Sequence, residues 1–182
     1  RRMPTLGAPE LQILAQEAVP LSALTSYLVQ HDMALVVSRD VTTRDEADVQ
    51  QPYNLRVAGT ATQTVGASGK LYDVARLQFF QADQIRGIGG TASPDPGRRV
   101  LAQPLHTPGL PNPPVGSAGP PGSVALGSDG SMAAFVPARR ALSWQLTDAA
   151  GTGVVRERYW LSFQPGEIRV CTSCHGLNQR DQ

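Results

Sequence analysis

The chain has 182 residues, 41% apolar but only 5% aromatic, with 18 glycines and 15 prolines. That length holds one domain or two small lobes around an aliphatic core, and glycine plus proline above the usual sum of roughly 12% argues for turns and β structure rather than a helical bundle. Sixteen basic and fifteen acidic residues are interspersed to a net charge of +1, which excludes a nucleic-acid stripe or a basic membrane patch as the organising feature.

Residues 1–10 read as an irregular lead-in. In LSALTSYLVQ (21–30), Leu21, Leu24 and Leu28 recur at helical spacing and predict a short amphipathic helix. MALVVS (33–38) reads as a buried strand, and RDVTTRDEADVQQP after it as a charged surface loop. YNLRVAG and TQTVGA each read as a short strand. LYDVARLQFFQADQIRG (71–87) is ambiguous: Val74, Leu77 and Phe80 suit a helix, while its β-branched and aromatic content suits a strand. GIGGTASPDPGRR reads as a flexible loop, and its glycines lack the G-x-G-x-x-G spacing and strand–turn–helix context of a nucleotide site.

TPGLPNPPVGSAGPPG (107–122) has no apolar period and reads as an extended, polyproline-like spacer. It divides an N-terminal α+β lobe (1–106) from a β-rich lobe (123–182). In the latter, SVAL, MAAFV, ALSWQLT, VVRERYWLSF and EIRV read as successive short strands, separated by turn signals. Leu142, Trp144 and Leu146 alternate onto one face. The predicted fold class is mainly β with minor α, its C-terminal lobe an antiparallel sandwich.

That lobe ends in CTSCH (171–175), which holds both cysteines of the chain. A redox dithiol uses two cysteines at this spacing but gives the adjacent histidine no necessary role. A structural zinc site needs about four ligands and takes them as two well-separated pairs, and no second pair exists here. Covalent haem c uses all three residues: Cys171 and Cys174 add to the two vinyl groups, and His175 is swung beneath the ring to ligate iron. Chance placement of the three residues is on the order of one in several thousand by ordinary composition. One covalent haem c is therefore the expected cofactor. Its attachment is completed outside the cytosolic membrane, so a periplasmic or extracellular bacterial location is expected, in keeping with a chain that holds no other thiol.

Residues 129–176, and above all RYWLSFQPGEIRVCTSCHG, resemble the haem-bearing middle domain of the hydrazine synthase alpha subunit. They also resemble related modules of large secreted bacterial proteins, often found beside β-propellers. The resemblance implies a β-rich module with its haem site at the C-terminal end, working inside a larger protein or complex. In the synthase family the motif histidine binds zinc, and a tyrosine four residues later takes the iron. Gln179 stands at that position here, which favours ordinary ligation through His175 and leaves Tyr159 as a substitute ligand.

Candidate sixth ligands are His31 and His106, with Met3, Met33 and Met132 as thioether alternatives. Trp144, Tyr159 and Trp160 are expected to pack the β core, one of them against the porphyrin. Arg156, Arg158 and Arg169 read as a solvated strand face or, for Arg169 above all, as partners of haem propionates. Pro165, Gly166 and Glu167 read as the turn that aims the haem strand.

The expected function is a monohaem c-type electron carrier whose partners are a redox protein or other chains of a complex, with no nucleic acid and no membrane span. Two alternatives are a haem enzyme with an open iron acting on a small nitrogen or oxygen compound, and a β-sandwich interaction module with a zinc site.

Overall fold

The computed structural model describes residues 6–43, 54–61, 70–86, 98–105, 119–157 and 159–171. Helices α1 (Ala8–Gln16) and α2 (Leu21–Gln30) lead into the strands. These are β1 (Met33–Ser38), β2 (Asn54–Val57), β3 (Leu71–Val74), β4 (Arg76–Arg86), β5 (Arg98–Pro104), β6 (Ser123–Ala125), β7 (Met132–Pro137), β8 (Leu142–Thr147), β9 (Gly153–Arg156) and β10 (Ile168–Cys171). The chain is mainly β with two helices among the described residues.

The leucine spacing that predicts α2 is matched by the helix itself, with Leu28 as its buried residue. Helix α1 corrects the expected lead-in. Pro9 sits in the first turn, where a helix needs no N–H. Glu10, at the third helical position, accepts from the Gly7 N–H at 2.7 Å. The buried residue of α1 is that carboxylate, so no apolar stripe announces the helix in the sequence.

One sheet has the order β10-β1-β7. β1 is antiparallel to β7 and parallel to β10. The parallel ladder corrects the expectation of an antiparallel C-terminal lobe: the last strand pairs with Leu35–Ser38 rather than with its sequence neighbours. MALVVS supplies the reason, because a strand apolar on both faces is stable in the middle of a sheet. Ala34, Val36 and Ser38 share one face with Val136, Ala134 and Met132, and all six are buried. The other face is covered by α2, where Leu28 is buried and the Tyr27 ring meets Phe135 edge-on at 6.0 Å.

The second sheet runs β5-β4-β8-β9, with β6 also on β4. The ambiguous stretch 71–87 is therefore extended, not helical. β4 is paired along both edges, by β8 on one side and by β6 and then β5 on the other. The changeover is at Phe79, whose N–H donates to Gly122 O at 2.9 Å and whose carbonyl accepts from the Leu105 N–H at 3.1 Å. Leu77, Phe79, Leu142 and Leu146 turn toward the first sheet and join Ala34, Val36, Ala134 and Phe163 in one apolar cluster. Each large side chain fully buried there stabilises the fold by about 1.5–3 kcal/mol relative to exposure. Trp144 packs on this core against Phe79, ring centroids 5.9 Å apart.

The outer face of the second sheet is polar. Gln145 Nε2 donates to Gln78 Oε1 at 2.9 Å, and Gln78 Nε2 donates to the Pro121 carbonyl at 3.0 Å. A smaller parallel pair, β2–β3, carries an Arg56–Asp73 cross-strand ion pair. Both larger sheets draw strands from either side of 107–122, since β1 pairs with β7 and β4 with β8.

Candidate functional site

The segment that delivers β10 is a tight reversal. Gln164–Glu167 has proline second and glycine third, with Gly166 at φ +83° and the Glu167 N–H donating to Gln164 O at 3.0 Å. This is the pattern of a type II turn, the reversal expected from QPGE. The Gly166 N–H donates to Met33 O at 2.9 Å, and Leu35 N–H to Glu167 O at 2.9 Å, so the turn sets β10 beside β1 in fixed register.

Alternation then decides which side chains face the core. Arg169 is in register with Val36 and Cys171 with Ser38, both on the core-facing side of the sheet. Arg169 and Cys171 thus share that face, their Cα atoms about 6.6 Å apart by strand geometry. Cys171, Ser38 and Met132 form one row across the three strands.

Arg169 is not a solvated strand residue. Its Nε donates to Glu167 Oε1 at 2.8 Å, and its guanidinium lies over the fully buried Phe163 ring at 4.5 Å. Arg156 belongs to the opposite, polar face, where it donates to Gln145 Oε1 at 2.8 Å and lies over Phe80 at 5.3 Å.

The Cys171 carbonyl accepts from the Arg39 N–H at 3.0 Å, and Arg39 in turn donates to both carboxylate oxygens of Glu10 at 2.7 and 3.0 Å. The thiol of Cys171 is partly buried. Burial pushes its pKa up, the charge of Glu157 acts in the same direction, and Arg169 opposes both. The balance keeps the sulfur neutral.

The Glu157 N–H donates to Trp144 O at 2.8 Å, and Leu161 exchanges two hydrogen bonds with Leu142 at 2.7 and 2.8 Å. Between those points β8 has one residue, Ser143, and the facing segment has three. The surplus is a bulge, pinned by Ser143 Oγ donating to Glu157 O and by the Tyr159 N–H donating to Glu157 Oε1. It turns Tyr159 and Trp160 outward, 59% and 41% exposed. The expectation that both pack the core is corrected, and so is the single strand 154–163, because β9 ends at Arg156.

Of the predicted site residues, the structure sets Cys171 and Arg169 on one strand face and leaves Tyr159 exposed beyond β9. Cys174, His175, His106 and Arg158 lie outside the described residues. His31 caps α2, its ring tilted against that of Tyr27 with centroids 4.3 Å apart. Met33 and Met132 are buried in the first sheet, Met33 on its α2 side. Sequence reasoning missed Glu157, Phe163 and the orienting role of Glu167. The E-x-R spacing of Glu167 and Arg169 is a same-face pair in a strand, and it was the available signal.

This geometry sets the Cys171 thiol at the end of an edge strand, on the same face as the Arg169 guanidinium, which itself lies over the Phe163 ring. A zinc-binding or redox-active cysteine works as a thiolate, and neighbours that help it lower its pKa.

The family model described as hydrazine synthase alpha subunit middle domain matches residues 75–176. A solved hydrazine synthase structure from Kuenenia stuttgartiensis matches with a TM-score of 0.45 and 18% identity, over 80% of this chain and 18% of that one. The chain therefore spans under a fifth of that protein's length. No curated protein matches the chain.

Proposed function

The chain belongs to the hydrazine synthase alpha subunit middle-domain family, and from that premise we propose that it is a haem c-bearing module carrying electrons within a larger extracytoplasmic protein or complex. Cys171 and Cys174 hold the porphyrin through thioethers, and His175 ligates its iron. The observation that carries this reading is the CTSCH motif within the family match, with Cys171, its first residue, at the end of edge strand β10. A haem so held supplies reversible one-electron transfer.

The chain's own residues do the positioning. The Pro165–Gly166 turn and the β1–β10 ladder fix where the first sulfur sits. Glu167 and Phe163 hold the Arg169 guanidinium two residues along the same face, where its charge can meet a propionate. The attachment chemistry supports an extracytoplasmic location, and a redox partner or neighbouring chain takes the electron. Among the described residues no helix is long and apolar enough to cross a membrane.

The test is direct. The chain matured in a cytochrome c-competent host should show a Soret band and keep its haem on a denaturing gel, and Cys171→Ser should weaken the attachment. A colourless product with both thiols open to alkylation overturns the reading. A ferrous spectrum that changes on adding carbon monoxide would move it to a haem enzyme with an open iron.

A further inference from the structure

Helix α1 is joined to the rest of the molecule by charge rather than by apolar packing. Its buried residue is Glu10, while Leu11 and Ile13 are exposed. Among the described residues, the core cluster takes none from this helix. At 9 residues α1 is also short, since about 12–15 are needed for even a favourable sequence to stay helical alone in water. It keeps its fold only while docked.

The docking contact is a fork. Arg39 Nε and Nη2 donate to the two oxygens of Glu10 at 2.7 and 3.0 Å, and the Gly7 N–H donates to the same carboxylate at 2.7 Å. The guanidinium stands where a Cβ at Gly7 would have to be, so the residue that opens α1 lies directly against the pair. Glu10 is 7% exposed, and a buried carboxylate stripped of its partner is costly, so pair and helix open together. Arg39 also ends the β1–β10 ladder. At the start of that ladder Leu35 N–H donates to Glu167 O at 2.9 Å, and at its end Arg39 N–H donates to Cys171 O at 3.0 Å. One residue thus holds α1 with its side chain and the end of β10 with its backbone.

We propose that α1 is a detachable latch, released by loss of the Glu10–Arg39 pair while the two sheets stay folded, and that its release frays the Cys171 end of β10. Segments with few buried apolar contacts are the ones that open locally ahead of the body of a protein. The latch acts on the strand end itself, whatever group Cys171 carries. It makes the firmness with which the first residue of CTSCH is held depend on a helix at residues 8–16.

Residue-resolved amide hydrogen exchange on the full chain tests this. Glu10→Gln removes the charge but keeps an acceptor for the Gly7 N–H, as a capping box allows. The amides of α1 and of residue 39 should lose protection by about ten-fold or more, while Leu35 and the amides of β4 and β8 hold theirs. Arg39→Gln should give the same loss, and combining the two should add little, because both remove one pair. Additive losses would assign the two residues separate roles and overturn the proposal. Unchanged protection of α1 overturns it, and so does a loss shared equally with β4 and β8, which would make α1 part of the cooperative body. Loss in α1 with residue 39 as protected as in the parent overturns the link to Cys171.

Discussion

Arg39 donates its backbone N–H to the carbonyl oxygen of Cys171 at 3.0 Å. The same residue holds Glu10 through its guanidinium, so α1 is tied to the strand pair that ends in the sulfur. The Arg39 hydrogen bond lowers the pKa of Glu10 most, burial opposes it, and the Gly7 N–H lowers it further. A carboxylate with a depressed folded pKa contributes stability that is present above its unfolded value, about 4.3, and lost as pH falls through the folded value. Glu10→Gln should lower the thermal midpoint at neutral pH, and the difference from the parent should shrink below about pH 4. Parallel curves across pH would contradict the pairing.

Alkylation reports on the thiol. In a haem-free Cys174→Ser chain, Cys171 should react with iodoacetamide more slowly than an unfolded cysteine at the same pH, because burial raises its pKa and limits access. Arg169→Gln should slow the reaction further, since Arg169 lowers that pKa. Glu157→Gln should speed it, since Glu157 raises it. Opposite signs for the two variants are the result to look for, and equal rates would remove the electrostatic account.

Phe163 is fully buried in the core cluster and supports Arg169 from below. Phe163→Ala should cost about 3–5 kcal/mol in urea unfolding. Phe163→Leu, which stays apolar and loses less volume but removes the ring face, should cost less in stability while still freeing the guanidinium.

Gly166 and Gly59 separate two kinds of cost. Both have positive φ, +83° and +78°. A Cβ at Gly59 would meet nothing within 4 Å, whereas at Gly166 it would lie 2.7 Å from Val29 Cγ2. Gly59→Ala should lose about 1–2 kcal/mol from backbone conformation alone. Gly166→Ala should lose more, because α2 must shift, and chemical denaturation of the two variants measures the difference.

Local periodicity was a good guide wherever one element settled its own fate. Leu21, Leu24 and Leu28 mark α2, and the alternation of Leu142, Trp144 and Leu146 marks β8. It failed where the deciding contact was distant. In 71–87 the apolar spacing suits a helix until β8 and β5 are known to flank it, at which point Leu77 and Phe79 face the core and Gln78 the polar layer. Nothing in RERYWLSF reveals that three residues stand against one, since the mismatch exists only relative to Ser143. Within the site, Cys171 was legible from spacing and Arg169 from proximity in sequence. Their shared face depends on the β1 pairing, which no local pattern encodes.

That pairing has a kinetic meaning. Leu35 waits for Ile168, a partner made more than a hundred residues later, and such long-range closure is slow. Until it happens one edge of β1 has no neighbour, and the thiol rides on loose chain.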